Sequence, residues 1–117
     1  MKIKDIKDLL GAEVLCCEEN LDNHVESACG CDLMSDVLAY VKDQAVLLTG
    51  LVNPQVVRTA EMMDMVCIVF VRSKAPTNEM LELAKESGIV IMKSERRLYE
   101  ACGILYSNGL VAEAVAE

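Results

Sequence analysis

Two thiols stand one residue apart in residues 28–36, which read ACGCDLMSD. They belong to a set of six cysteines: Cys16, Cys17, Cys29, Cys31, Cys67 and Cys102. Clustered thiolates can bind zinc or an iron–sulfur cluster, and paired thiols can carry out redox chemistry. The set is therefore a metal site, a redox pair or a group of packing residues.

The spacing of the cysteines does not match the usual ligand pattern. Structural zinc and iron–sulfur sites generally take Cys-x-x-Cys groups, whereas this chain has Cys-Cys, Cys-x-Cys and two single cysteines. Cys67 lies in an apolar strand and Cys102 on the inward stripe of a helix, where cysteine packs as a small hydrophobe. The residues favour a turn that leads into a helix, with no cofactor. The alternative is a redox or metal accessory function, with a metal ion or iron–sulfur cluster held by Cys16, Cys17, Cys29 and Cys31.

Basic residues form the second pattern that could do chemistry. The 117 residues include 11 Lys and Arg against 19 Asp and Glu, which gives a net charge of -8. This acid excess argues against general binding to nucleic acid or to an anionic membrane. Five of the few basic residues nevertheless fall in two short segments that follow apolar strands: Arg72, Lys74, Lys93, Arg96 and Arg97.

A regular alternation of strands and helices positions these segments. Apolar strands begin near residues 45, 67 and 89, and the interval of 22 residues leaves room for one crossover helix each time. Uninterrupted apolar strands that alternate with amphipathic helices are typical of a parallel sheet covered on both faces. The sequence therefore predicts an α/β single domain with a mainly parallel sheet flanked by helices.

An N-terminal helix and two N-terminal strands precede this repeat. The helix occupies the first ten residues and ends at Gly11. The strands occupy residues 12–17 and 24–29. We expect these two strands to lie next to each other in the sheet.

Capping residues predict where the later helices begin and end. Asn53, followed by proline, and Thr77 are predicted to open two of them, and Gly88 is predicted to end the second. Ser35 and Ser94 are predicted to open the other two.

The strand-to-helix loops of a parallel sheet share one edge, where ligands generally bind, and helix N-termini attract anions. We therefore predict an anion site for a phosphate-bearing metabolite or an acidic segment of a partner. Its residues are Thr49, Gly50, Asn53, Arg72, Lys74, Ser94 and Arg96. The alternative is that the basic residues are solvated helix-start charges paired with glutamates such as Glu79 and Glu95.

Several features restrict the function further. The sequence has no dinucleotide-binding glycine turn, Walker A loop, nucleophile elbow or His-Glu-x-x-His helix, so we expect no enzymatic activity. It has no apolar run of membrane-spanning length and no signal-peptide core, so we expect a cytoplasmic protein. The apolar fraction of 53% and the mean hydropathy of +0.29 are high for a small chain and favour a subunit interface, hence a homodimer.

Five sequence segments resemble stand-alone members of the DRTGG domain family, and the similarity extends over about residues 2–110. They are DLMSDVLAYVKD, LLTGLVNPQVVRTAEM, CIVFVRSKAP, NEMLELAKESGI and YEACGILY. The same α/β module is attached to phosphate acetyltransferases and to pyrophosphatases with CBS domains, and it is similar to the amino-terminal domain of HPr kinase/phosphorylase. Residues 1–110 would form this domain and residues 111–117 a C-terminal tail.

The resemblance implies a non-catalytic regulatory or assembly module, usually dimeric. Together with the predicted anion site, it leads us to expect a module that binds a small anionic metabolite, such as a nucleotide, or a partner protein. It also implies a redox-enzyme partner, since stand-alone relatives tend to be encoded near iron hydrogenase and electron-transfer subunits in anaerobes. One loop departs from the family pattern. Residues 71–76 read VRSKAP where many relatives have Thr-Gly-Gly followed by a basic residue and proline.

Overall fold

The structure, a computed structural model, describes residues 1–40 and 44–112. Within these ranges it contains five strands: β1 (Glu13–Cys16), β2 (Ser27–Gly30), β3 (Ala45–Thr49), β4 (Cys67–Phe70) and β5 (Val90–Lys93). The same ranges contain five α-helices: α1 (Ile3–Leu10), α2 (Met34–Tyr40), α3 (Pro54–Met62), α4 (Asn78–Ser87) and α5 (Leu98–Ser107). None of these helices combines the length and the apolar composition needed to cross a bilayer.

The five strands form one mixed sheet in the order β1-β5-β4-β3-β2. The strands β2 to β5 are parallel, and β1 is antiparallel to β5. All residues of β3 and β4 are buried, because helices cover both faces of the sheet. The predicted α/β fold with a mainly parallel sheet is therefore confirmed.

The prediction that the two N-terminal strands neighbour each other is wrong. They occupy opposite edges of the sheet, where β1 pairs with β5 and β2 pairs with β3. The parallel core of β3, β4 and β5 leaves two unpaired edges, and each N-terminal strand satisfies the backbone groups of one of them.

The helices form two layers. Successive crossovers between adjacent parallel strands are right-handed, so α2, α3 and α4 cover one face, where α3 contacts both of the others. On the other face α5 packs against α1 and lies over β2 and β3.

Two of the predicted helix starts are confirmed, and so is the predicted end at Gly88. The side chain of Asn53 accepts a hydrogen bond from the amide of Gln55 at 2.8 Å, and that of Thr77 accepts from Met80 at 3.3 Å. Gly88 ends α4 with a φ of 71°, a left-handed conformation that favours glycine.

The other two predicted starts are wrong. α2 already begins at Met34, so Ser35 lies inside the helix. α5 begins only at Leu98, since the hydroxyl of Ser94 is buried and donates to the carbonyl of Leu10 at 2.9 Å. Ser94 therefore attaches the end of β5 to the end of α1 and does not cap a helix.

The predicted tail begins against the edge strand β2. The amide of Ala28 donates to the carbonyl of Val111 at 2.9 Å, so the first residue of the tail covers part of this edge. The prediction for residues 113–117 lies outside the described residues.

α5 packs closely on β2 because Gly30 has no side chain. A Cβ atom at Gly30 would overlap Sγ of Cys102 and would lie 3.5 Å from a methyl carbon of Leu98. The contact explains why a small residue occupies each side of this interface.

We expect Gly30→Ala to lower the free energy of unfolding by about 1–3 kcal/mol, because the added methyl group overpacks the interface. Urea denaturation will measure the change. The double variant Gly30→Ala with Cys102→Ala restores most of the loss, since it removes the sulfur that the methyl group meets. If the double variant instead loses the sum of the stabilities lost by the two single variants, this account of the packing is wrong.

Candidate functional site

The loops that follow the four parallel strands lie at one edge of the sheet. We call this surface the carboxyl rim and define it as residues 31–33, 49–53, 71–77 and 93–97. Backbone hydrogen bonds continue the strand ladder into it: Cys31 donates to Leu48 at 3.0 Å, Val71 to Thr49 at 3.0 Å, and Ser94 to Phe70 at 2.9 Å. The rim is thus fixed to the sheet at several points.

Asp32 joins the loop after β2 to the loop after β3. Its Oδ1 accepts hydrogen bonds from Oγ1 of Thr49 at 2.7 Å and from the amide of Gly50 at 2.8 Å. The hydroxyl oxygen of Thr49, which is buried, accepts in turn from the amide of Leu51 at 3.1 Å. The Asp32 carboxylate therefore accepts the hydrogen bonds of Thr49 and Gly50, two residues that we predicted to bind an external anion.

Sequence reasoning missed Asp32. The available signal was its place shortly after a strand, but that strand was expected to pair with the other N-terminal strand and not to join the parallel set. Once β2 is counted as the fourth parallel strand, Asp32, two residues beyond its end, belongs to the ligand-binding edge.

The surroundings of Asp32 favour its ionised form. The Gly50 amide and the Thr49 hydroxyl both donate to the carboxylate and lower the pKa of Asp32 below its usual value; partial burial opposes this shift, and the charge of Arg72 supports it. Asp32 therefore carries a negative charge at neutral pH.

Arg72 connects three loops of the rim. Its backbone amide donates to the carbonyl of Arg96 at 2.8 Å, and its guanidinium lies against Gly50, where a Cβ atom would be 2.6 Å from Nη2. Among the described residues Arg72 forms no salt bridge, although Asp32 is close enough to sense its charge. Arg72 is an exposed residue, and its guanidinium can bind a further anionic group.

Arg72 and Ser73 form a left-handed turn. Both have a φ of 56°, and the amide of Lys74 closes the turn on the carbonyl of Val71 at 3.1 Å. The amide of Ser73 also donates to the carbonyl of Ser94 at 2.8 Å. Non-glycine residues in this conformation cost about 1–2 kcal/mol each, so these cross-loop hydrogen bonds hold a strained segment in place.

The remaining predicted site residues divide into two groups. Asn53 caps α3, and Ser94 is buried with its hydroxyl between the carbonyl of Leu10 and the amide of Arg96. These two polar side chains serve the fold. Lys74 is exposed on the rim, and Arg96 contributes its backbone to the loop connection.

The basic residues are paired only in part. Arg96 bonds to Glu100 at 3.0 Å and Lys93 contacts Glu13 at 3.7 Å, so these two follow the alternative of solvated, paired charges. Within the described ranges, Arg72, Lys74 and Arg97 have no acidic partner at salt-bridge distance. Glu79, an expected partner, instead contacts Arg58 on α3 at 3.8 Å.

The four cysteines of the metal alternative do not meet within one chain. Cys16 ends β1 and Cys29 lies on β2, at opposite edges of a five-stranded sheet, and four strand spacings amount to about 19 Å. Burial is the main cause that raises the pKa of Cys17 and of Cys29 to about 11, so both are neutral thiols at pH 7. In the part of the chain that the structure describes, no three His, Cys, Asp or Glu residues are grouped to hold a metal ion.

We expect Asp32→Ala to lower the free energy of unfolding by about 1–2 kcal/mol at pH 7, since two hydrogen bonds to a partly exposed carboxylate are lost. The pKa of Asp32 is depressed by folding, so its contribution is full above the unfolded pKa of about 3.9 and is lost as the pH falls through the folded value. Urea denaturation of both proteins at pH 7 and pH 3 will show a difference that shrinks in acid. Glu86→Ala, on the exposed side of α4, is the control, and a pH-independent difference for Asp32→Ala would refute the assignment.

No curated protein matches the sequence. Among solved structures, the CBS and DRTGG domains of the regulatory region of Clostridium perfringens pyrophosphatase, complexed with the activator diadenosine tetraphosphate, are similar with a TM-score of 0.71. The sequence identity is 15%, and the match covers 89% of this chain and 45% of that chain, so this chain spans less than half of its neighbour's length. At this identity the likeness shows a shared fold. The family model of the DRTGG domain matches residues 5–107, nearly the whole sequence, and the chain therefore belongs to the DRTGG domain family.

Proposed function

We propose that this chain is a non-catalytic regulatory module that binds a small phosphate-bearing ligand at the carboxyl rim and acts as a homodimer. The observation that carries the proposal is the position of Arg72. Its guanidinium lies over Gly50, where the loops after β2, β3 and β4 meet, and it has no acidic partner at salt-bridge distance among the described residues.

The electrostatic setting supports a specific site over a general one. The chain has a net charge of -8, so an anion approaches it against the average field and gains attraction only where basic groups are gathered. Arg72 and Lys74 on one loop and Arg97 on the next supply such a group. Arg72 can also bind two phosphate oxygens at once.

The comparison supports a regulatory role. The similar solved structure is a regulatory region complexed with a nucleotide activator, and this chain matches less than half of it. The proposal for this chain is accordingly limited to ligand binding by the domain that the two proteins share.

We expect a phosphate-bearing ligand to raise the melting temperature of the wild-type protein, and Arg72→Ala to weaken its binding at least tenfold, because a charge-assisted hydrogen bond is lost. A thermal-shift screen with nucleotides and sugar phosphates, followed by calorimetric titration, will measure both effects. Arg58→Ala removes the same charge from α3, where Arg58 pairs with Glu79, and should bind as the wild type does. A screen without any stabilising compound would refute the proposed site.

The outer face of α5 supports the homodimer. Tyr99 and Tyr106 are 93% and 67% exposed, and they stand seven residues apart, hence on one side of the helix. With Cys102 and Gly103 they line a shallow depression with a volume of about 400 Å³. Exposed aromatic side chains around an apolar depression are typical of protein interfaces.

We expect the wild-type protein to have a mass in solution of twice the chain mass of 12.8 kDa. The double variant Tyr99→Asp, Tyr106→Asp should be a monomer. The introduced charges would oppose each other across a two-fold interface and would have to be desolvated. Sedimentation velocity is the measurement. Met62→Asp, at a 65% exposed position of the opposite layer, should remain dimeric; a monomeric wild type would disprove the dimer.

A further inference from the structure

The two oxygens of the Asp32 carboxylate have different environments. Oδ1 accepts from both Thr49 and Gly50, which fixes the orientation of the group. Oδ2 has no hydrogen bond to the residues that the structure describes, and Asp32 is exposed at the rim. Because an ionised carboxylate can only accept hydrogen bonds, its second oxygen can bind a hydrogen-bond donor or a cation but not another acceptor.

The same carboxylate restricts where a phosphate can bind. The Thr49 hydroxyl and the Gly50 amide already donate to Asp32 and are not free for another anion. The negative charge of Asp32 also repels a phosphate placed beside it. A phosphate group is thereby directed away from the Gly50 amide and toward the Arg72 guanidinium, which Lys74 follows along the chain.

Asp32 and Arg72 are thus two unlike contacts at one glycine, with the carboxylate at its amide and the guanidinium where a side chain would begin. We infer that the ligand of the carboxyl rim is a phosphate ester that also carries hydroxyl donors, with its hydroxyl groups on Asp32 and its phosphate on Arg72. This inference rests on the proposed function and adds the chemical class of the ligand. A ribose diol with a 5′-phosphate has this chemistry, in a nucleotide or in a sugar phosphate, whereas pyrophosphate does not.

Calorimetric titration with four compounds tests the inference: adenosine 5′-monophosphate, its 2′,3′-dideoxy analogue, ribose 5-phosphate and pyrophosphate. We expect the wild-type protein to bind the dideoxy analogue about tenfold more weakly than adenosine monophosphate, because a hydrogen bond to a charged acceptor is lost. Ribose 5-phosphate separates the two sources of the diol. Affinity equal to that of the nucleotide identifies a sugar phosphate site, and weaker binding identifies a nucleotide site.

The variant Asp32→Asn tests the role of the carboxylate directly. Asparagine keeps an oxygen for Thr49 and Gly50 but loses the charge and the second acceptor. We expect the tenfold preference for the ribose diol to fall to about twofold and pyrophosphate to bind severalfold more tightly. Glu86→Gln removes one negative charge from α4, outside the rim, and should change neither quantity.

The outcomes separate this inference from the proposed function. Equal wild-type affinity for the diol and the dideoxy compound, or no gain in pyrophosphate binding by Asp32→Asn, would overturn the ligand class while the anion site stands. Failure of the wild type to bind any of the four compounds would overturn the ligand class, and failure of every compound in the thermal-shift screen as well would overturn both.

Discussion

Gly50 is the residue at which two opposite charges reach the same stretch of backbone. Its amide donates to Asp32, and the guanidinium of Arg72 occupies the space where a side chain would begin. A Cβ atom there would lie 2.6 Å from Nη2 of Arg72 and would displace the guanidinium. The missing side chain therefore allows Arg72, from the loop after β4, to lie against the loop after β3, while the Gly50 amide holds the loop after β2.

The left-handed turn at Arg72 and Ser73 shows how strain and charge are combined. Glycine adopts this conformation without steric cost, but residues 71–77 contain no glycine. This chain keeps the left-handed turn with two larger residues, held by hydrogen bonds to the carbonyls of Arg96 and Ser94. The strain places a guanidinium over Gly50, where a glycine would place no charged group.

The sequence was sufficient for the parallel core and insufficient for the edges. The apolar runs of β3, β4 and β5 and the caps at Asn53 and Thr77 are local signals, and the structure follows them. The pairing of β1 and β2 depends on contacts between distant segments, because each is a short edge strand with little pattern of its own. The misplacement of β2 is the reason that Asp32 was not recognised.

The same distinction explains the outcome for the site. The parallel order predicts that Thr49 and Arg72 belong to one edge, and they do. The hydroxyl of Ser94 could not be assigned, because its acceptor is the carbonyl of Leu10, 84 residues away. The left-handed turn at Arg72 and Ser73 could not be predicted either, because these residues include neither the glycine nor the asparagine that usually indicates such a turn.

Asp32 also connects the carboxyl rim to the start of α2. Asp32 leads directly into α2, whose first turn is closed by hydrogen bonds from Asp36 and Val37 to the carbonyl of Leu33. Val37 is the only fully buried residue among the described side chains of α2. Met34 also packs against the core, and α2 contacts α3. The hydrogen bonds of Asp32 to Thr49 and Gly50 therefore join the start of α2 to the loop after β3, so the carboxylate that holds the rim together also fixes where this helix begins.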